Sequence, residues 1–289
     1  MNDLVFYGGA NGVVFGNQQF TMRNLTFYNA KTAINQIWNW GWTYSGITVN
    51  NCSTGLNMTS GGAGGQTVGS VTFIDSSFTN TNVAIATSHN TTSQPPTAGS
   101  LILENVSLTN TPIAIQGPQG TVLSGGTITI SGWGQGHEYI SDGPTNFEGS
   151  ITPFSRPQSL TVNGKYYSRS KPQYQNTPLT QFVSVRSAGA KGDGKTDDTA
   201  AINTVLQSAA THKQIVFFDA GTYKVSSTIY VPAGSKIVGE TYPVIMGAGS
   251  FFSSITTPQP VVLVGKANEA GVVEWSDMIV STQYVLFPP

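Results

Sequence analysis

Leu4-Val-Phe6-Tyr-Gly8, Leu25-Thr-Phe27-Tyr-Asn29, Ile47-Thr-Val49-Asn-Asn51, Ser76-Ser-Phe78-Thr-Asn80 and Val106-Ser-Leu108-Thr-Asn110 are copies of one short pattern. Each runs on to a small-plus-aliphatic pair: Gly12-Val13, Ala33-Ile34, Gly55-Leu56, Ala84-Ile85 and Ala114-Ile115. The copies start 21, 22, 29 and 30 residues apart. Alternating apolar residues predict a short strand with one buried face. The closing Asn or Gly suits backbone with φ > 0. Strand, fixed turn and second strand at a period of twenty-odd residues predict a solenoid of stacked coils, an all-β parallel β-helix. A β-sandwich with Asn-rich turns is the alternative. Asn29, Asn51, Asn80 and Asn110 recur at one register and predict an internal ladder of side-chain amides inside the turn.

The chain has 289 residues, of which only 9% are charged, with Lys+Arg 13 against Asp+Glu 14. No basic patch is available for phosphates, so nucleic acid is not an expected partner. Cys52 is the single cysteine, which leaves no disulfide and no Cys-based metal site. His89, His137 and His212 lack ligand spacing, so neither metal nor other cofactor is expected. No apolar run is long enough to span a membrane. The first residues lack the basic and apolar regions of a signal peptide and read as mid-coil. Five Asn-X-Ser/Thr triplets start at Asn24, Asn51, Asn57, Asn90 and Asn105, and they matter only in a secreted chain.

Residues 1–135 carry the repeats. Prolines and tyrosines gather in 136–181, which predicts an inter-domain linker. From Phe182 the character changes, and a second stack of strands is expected over 182–289. Thr196 or Asp197 can cap a helix there, with Asp198 in its positive first turn. Ile202, Val205 and Leu206 form its apolar face, and the helix is expected to cover the open end of a new stack.

Gly192-Asp-Gly-Lys-Thr-Asp-Asp-Thr-Ala-Ala-Ile-Asn, Phe217-Phe-Asp-Ala-Gly-Thr-Tyr and Ile237-Val-Gly-Glu resemble the start of a pectate-lyase-type β-helix domain. Phe15-Gly-Asn-Gln-Gln-Phe, Asn39-Trp-Gly-Trp-Thr, Gln66-Thr-Val-Gly-Ser-Val and Val273-Glu-Trp-Ser-Asp-Met-Ile-Val-Ser-Thr-Gln narrow the resemblance to fungal glycoside hydrolase family 55. The resemblance implies two tandem right-handed parallel β-helices, with one capping helix at the start of the second. It also implies inverting exo-hydrolysis of β-1,3-glucan to glucose, outside the cell, by a monomer. A complete first helix and further coils of the second are missing from the match, and Tyr284-Val-Leu-Phe-Pro-Pro departs from it. The chain is therefore expected to be an interior fragment without the general acid, inactive on laminarin by itself. A polygalacturonase-like or pectate-lyase-like enzyme on the same solenoid is a second reading. A non-catalytic carbohydrate-binding piece is a third.

Hydrolysis of a glycosidic bond needs a carboxylic acid at the leaving oxygen. Glu274 is the candidate here, against a role in a cleft wall or turn. Asp193, Asp197 and Asp198 cluster, but capping and loop bonding explain them. Glu240 and Asp219 read as turn residues. Trp38, Trp40 and Trp42 alternate and are expected to share a strand face, for contact with sugar or with the next coil. Gln18 and Gln19 are adjacent, so one at most faces a cleft, and Gln19 joins the substrate-binding candidates.

Overall fold

In the computed structural model, residues 1–62, 64–93 and 99–283 are described, so the expected departure over 284–289 lies outside them. The chain divides into two compact units, Met1–Ser170 and Lys171–Pro289.

In the first unit, strands β1 (Asn2–Tyr7), β2 (Asn11–Gly16), β3 (Gln19–Tyr28), β4 (Thr32–Trp38) and β5 (Gly41–Ser45) lead to β6 (Thr48–Asn50) and β7 (Thr54–Met58). Next come β8 (Ser70–Ile74), β9 (Ser77–Thr79), β10 (Val83–Thr87) and β11 (Ser100–Gly117). Pairing through β11 is parallel and matches the repeat. Leu4 lies beside Leu25 and Val13 beside Ile34. Thr26, Thr48, Ser77 and Ser107 form one row, and Ile34, Leu56, Ile85 and Ile115 another. The longer coils have their extra residues between β7 and β8 and between β10 and β11, so the ladders keep their register.

The small residue of each pair has a steric reason. A Cβ on Gly55 would stand 2.3 Å from the Phe78 ring and 2.5 Å from Ala84 O, and one on Gly12 would stand 2.8 Å from the Phe27 ring. Each aromatic ring crosses the coil over the small residue, and like residues stack between coils. Phe6 and Phe27 are 4.8 Å apart, as are Tyr44 and Phe73.

Asn29, Asn51, Asn80 and Asn110 have φ of 58°, 54°, 49° and 49°. Asn51 Nδ2 donates to Asn29 Oδ1 at 2.7 Å, and Asn110 Nδ2 to Asn80 Oδ1 at 2.8 Å. These side chains lie on the exposed rim of the turn, not inside it as expected. The residue after each Asn fills the interior instead: Ala30, Cys52, Thr81 and Thr111 are all buried. A second column with φ > 0 holds Asp3, Asn24, Gly46, Asp75 and Asn105.

The solenoid stops earlier than the expected residue 135. β12 (Gly120–Ile140) folds back antiparallel on β11, and β13 (Gly143–Ser150) on β12. This ribbon pairs the edge that the last coil would leave open. A two-strand hairpin, β14 (Thr161–Val162) with β15 (Lys165–Tyr166), follows. Residues 136–170 of the expected linker thus belong to the first unit, and 171–181 to the second.

The second unit opens with β16 (Phe182–Ser184), β17 (Asp193–Asp197) and helix α1 (Thr199–His212). Coils of parallel strands follow: β18 (Ile215–Phe218), β19 (Thr222–Val225) and β20 (Ile229–Val231), then β21 (Lys236–Gly239), β22 (Val244–Gly247) and β23 (Val262–Val264), then β24 (Glu274–Ser276) and β25 (Ile279–Thr282). The sheets run β16-β18-β21-β24, β17-β19-β22-β25 and β20-β23. Helix α1 buries Ile202, Val205, Leu206 and Ala209 and packs on β18 and β20. Asp198 stands directly before the helix but makes no side-chain capping bond; as expected for a cap, Asp197 Oδ1 receives the amide of Thr199, the first helical residue, at 3.0 Å.

Candidate functional site

The first unit carries a groove of about 560 Å³ on the face of β3, β5 and β8. Register builds it. Gln19 lies beside Gly41, Phe20 beside Trp42, and Thr21 beside Thr43, which lies beside Thr72. Ser70 completes the wall. The lining holds amide, hydroxyl and aromatic groups and no charged one.

The three tryptophans do not share a face. Trp38 ends β4, the chain turns through Asn39 and Trp40, and Gly41 begins β5, so strand alternation does not run across them. Trp40 is 66% exposed and Trp38 38%, whereas Trp42 is 4% exposed, packed 5.5 Å from Phe20 and 5.6 Å from Phe15. Buried Gln36 donates to Trp38 O at 3.0 Å and accepts from Tyr44 O–H at 2.5 Å. Burial holds the Tyr44 phenol well above its usual range. Asn39 Oδ1 receives the amides of Gly69 and Ser70 at 3.0 and 3.1 Å. These internal amides fix the turn that displays Trp38 and Trp40. Gln18 and Gln19 are both exposed, and Gln19 lines the groove while the Gln18 carbonyl receives the Trp40 amide at 2.6 Å.

In the second unit Glu274 lines a hollow of about 450 Å³ with Lys236, Ala233, Gly234 and the segment 270–272. Glu274 pairs with Lys236 across β21 and β24, and Tyr174 O–H donates to Glu274 Oε2 at 2.6 Å. Glu274 Oε2 thus serves as the acceptor of the Tyr174 hydroxyl.

The other carboxylates hold backbone. Asp198 is buried and receives the amides of Lys191 at 2.7 Å and Gly192 at 2.9 Å. Asp197 receives Thr199 N at 3.0 Å. Hydrogen bonds from the Thr196 and Lys195 amides pull the Asp193 carboxyl down to about 2. Asp219 accepts from Ser184 O–H at 2.7 Å, and Glu240 from Ala220 N at 3.0 Å.

One ionic cluster has no counterpart in the sequence reading. Arg156 meets Asp75 Oδ1 and Glu104 Oε1 at 2.6 Å each and lies 4.3 Å over the Tyr166 ring. Burial opposes the charge on Asp75, but donation by Asn105, Arg156 and the Tyr166 amide outweighs it and holds the carboxyl below its ordinary range. The cluster fastens residues 156–166 to the flank of the coils. Among the described residues no group of three His, Cys, Asp or Glu is placed to hold a metal ion, and no helix is long and apolar enough to cross a membrane.

Residues 1–57 and 182–271 match the family model described as rhamnogalacturonase A/epimerase, pectate lyase-like. The chain is 48% identical over 286 residues to a glucan 1,3-beta-glucosidase of Cochliobolus carbonum, covering 98% of this chain and 36% of that protein. It is 36% identical over 380 residues to a probable glucan endo-1,3-beta-glucosidase of Arthroderma benhamiae, covering 98% of this chain and 43% of that protein. It is also 36% identical over 295 residues to the non-secreted LysM effector LysM19 of Penicillium expansum, covering 96% of this chain and 23% of that protein. The chain thus spans less than half the length of these relatives.

Proposed function

The chain belongs to the rhamnogalacturonase A/epimerase, pectate-lyase-like family, and from that premise we propose that it works on a neutral β-1,3-glucan outside the cell. The reaction is the inverting release of glucose that the resemblance to exo-β-1,3-glucanases implies. The observation that carries the reading is the uncharged groove of the first unit. Parallel rows of Thr21, Thr43 and Thr72 offer hydroxyls at the coil spacing, about 4.8 Å. Trp40 and Trp38 stand exposed one turn away and suit the C–H faces of glucose rings. Trp42 serves from below, as the floor that sets the height of Phe20. A polygalacturonate or pectate chain carries a carboxylate on each sugar and calls for cations, which the groove lacks.

Inverting hydrolysis needs one protonated carboxylic acid and a second carboxylate to activate water from the opposite face. Glu274 suits the holding of a sugar hydroxyl or a water, because Tyr174 already donates to it. We assign it positioning rather than proton delivery.

The test is affinity electrophoresis of the purified chain in laminarin and in polygalacturonate. Laminarin should retard it, Trp40→Ala should release most of that retardation without lowering the melting temperature, and polygalacturonate should have no effect. Equal retardation by polygalacturonate, or none lost in Trp40→Ala, refutes the reading. For Glu274, glucose release by a laminarin-active form of the protein should fall in Glu274→Gln mainly through a higher KM. Loss confined to kcat would make Glu274 the acid.

A further inference from the structure

The five Asn-X-Ser/Thr triplets play no part in the glucan reading, and the fold treats them unequally. Four of the asparagines stand in the columns of stacked coils, and each spends its side-chain nitrogen on a neighbour. Asn24 Nδ2 donates to Asp3 Oδ1 at 3.0 Å and Ser168 Oγ at 3.4 Å. Asn51 donates to Asn29 Oδ1 at 2.7 Å, Asn57 to Asn35 Oδ1 at 3.1 Å, and Asn105 to Asp75 Oδ1 at 2.5 Å.

Asn90 is different. It follows β10, outside every column. Its Oδ1 accepts from the amide of Thr92 at 2.9 Å and from the Thr92 hydroxyl at 2.8 Å. Its own amide donates to Ser93 Oγ at 3.1 Å, which closes a tight turn. Pinning Oδ1 to the turn aims Nδ2, on the other branch of the planar amide, away from it. Among the described residues no acceptor takes that nitrogen. A hollow of about 220 Å³ opens beside it, walled by Asn90, Thr91, the turn 117–122 and Glu148. It offers a first sugar a polar place to lie.

We propose that Asn90 is the N-glycan acceptor of this chain, and that the four column asparagines carry none in the folded protein. Attachment joins Asn90 Nδ2 to the anomeric carbon of an oligosaccharide carried on a lipid diphosphate. The N–C bond forms, the C–O bond to the diphosphate breaks, the diphosphate leaves with the electron pair, and the amide gives up one of its two protons. At Asn24 two acceptors already claim the nitrogen. At Asn105 the sugar would displace a member of the Arg156 cluster. At Asn51 and Asn57 the neighbouring amide stands one coil away, about 4.8 Å, in the space a sugar ring needs.

The inference takes from the functional reading only its extracellular setting, so the test supplies the route and reads glucan binding separately. The chain is made behind a cleavable secretion leader in a glycosylating yeast, and the secreted product is mapped by mass spectrometry before and after peptide N-glycosidase. One occupied site is expected, at Asn90, lost in Asn90→Gln and in Thr92→Ala with unchanged circular dichroism. Secreted protein without a glycan at Asn90, or with glycan at Asn24, Asn51, Asn57 or Asn105, overturns the proposal. Should secretion fail, the chain is translated into microsomes with the other four triplets blocked by Thr26→Val, Ser53→Ala, Thr59→Val and Ser107→Ala. A glycan-dependent band shift then supports Asn90, and its absence beside a shifted control glycoprotein overturns it.

Discussion

Replacing Arg156 with Ala removes the one cation that two buried carboxylates share. Asp75 is 4% and Glu104 6% exposed at the side chain, and Arg156 only 15%, so little solvent screens the pairs. Breaking a buried pair from one side costs about 3–5 kcal/mol, because a charge is left uncompensated. Asp75 keeps donation from Asn105 and from the Tyr166 amide at 2.8 Å, which argues for the lower end, about 3 kcal/mol. Loss of the Tyr166 stacking contact acts in the same direction. Urea unfolding followed by tryptophan fluorescence reads the effect, since buried Trp42 and Trp133 lie in the first unit. With a slope of about 1–3 kcal/mol per molar urea, the midpoint should fall by about 1–3 M at pH 7. The pH dependence has a definite sign. The Asp75 carboxyl is held below its unfolded value, so its contribution is present above about pH 3.9 and is lost as pH falls through the lower folded value. Without Arg156 the Asp75 carboxylate takes up a proton more readily in the folded state, so the gap between variant and parent should narrow toward pH 4. Arg156→Lys keeps the charge but not the fork, and should fall between the two. An unchanged midpoint in Arg156→Ala, or a gap that widens on acidification, refutes the reasoning.

Asn80→Ala should cost about 1–2 kcal/mol, chiefly because φ is 49° there, and Asn80→Gly should recover most of it even though both lose the bond from Asn110. Equal melting temperatures for the Ala and Gly variants would locate the cost in the bond instead. Asp198→Ala should strand the buried Gly192 amide and the part-buried Lys191 amide, cost about 2–3 kcal/mol, and abolish hydrogen-exchange protection at Gly192 before the rest of the second unit. The Asp193 carboxyl should titrate near 2 by NMR and rise in Thr196→Pro, which removes the amide that leads its hydrogen bonding; a midpoint already at the ordinary Asp value in the parent protein contradicts this. Trp42→Ala should lower stability by about 3–5 kcal/mol, in contrast to the unchanged melting of Trp40→Ala.

The coils were legible because their register is written into side-chain size. A ring at Phe27 or Phe78 demands a small residue at Gly12 or Gly55, so strand and turn recur together at spacings of 21, 22, 29 and 30. The second column carries the same spacings, with Asp3, Asn24, Gly46, Asp75 and Asn105 in order, and was readable by the same rule. Which side of the turn the amides occupy was not readable, because that depends on what fills the interior. Cys52, Thr81 and Thr111 do so, and small polar residues at those positions read equally well as surface. The closing ribbon was illegible for another reason. Gly126, Gly136 and Gly143 have φ of 127°, 140° and 104° and let an antiparallel ladder bend, but glycines beside prolines also describe a linker. What ties 136–170 to the first unit includes Arg156, whose partners lie 81 and 52 residues away. A chain with 9% charge gives each charged residue more meaning, yet not the address of its partner.

The site divides along the same line. The aromatic-rich run at 38–42 is plain in the sequence, while reading it as one continuous strand placed all three tryptophans on one face. The turn at Asn39 breaks that period by a single step, which is enough to send Trp42 inward and leave Trp40 out. The hydroxyl row Thr21, Thr43 and Thr72 is aligned by the coil spacing alone, but single threonines on an outer strand face carry no chemical signature in a sequence until the register is known. A solenoid makes such rows without effort: once a coil repeats, any residue type at a fixed position becomes a line of like groups. A line of hydroxyls fits a polymer of like sugars better than it fits one small molecule. The connections from β4 to β5, β7 to β8 and β10 to β11 recur at one position of successive coils and differ in length, while the ladders keep their register. That division leaves the repeat to the strands and puts Trp40 and Asn90 on connections between them, where a residue can change without disturbing the coils.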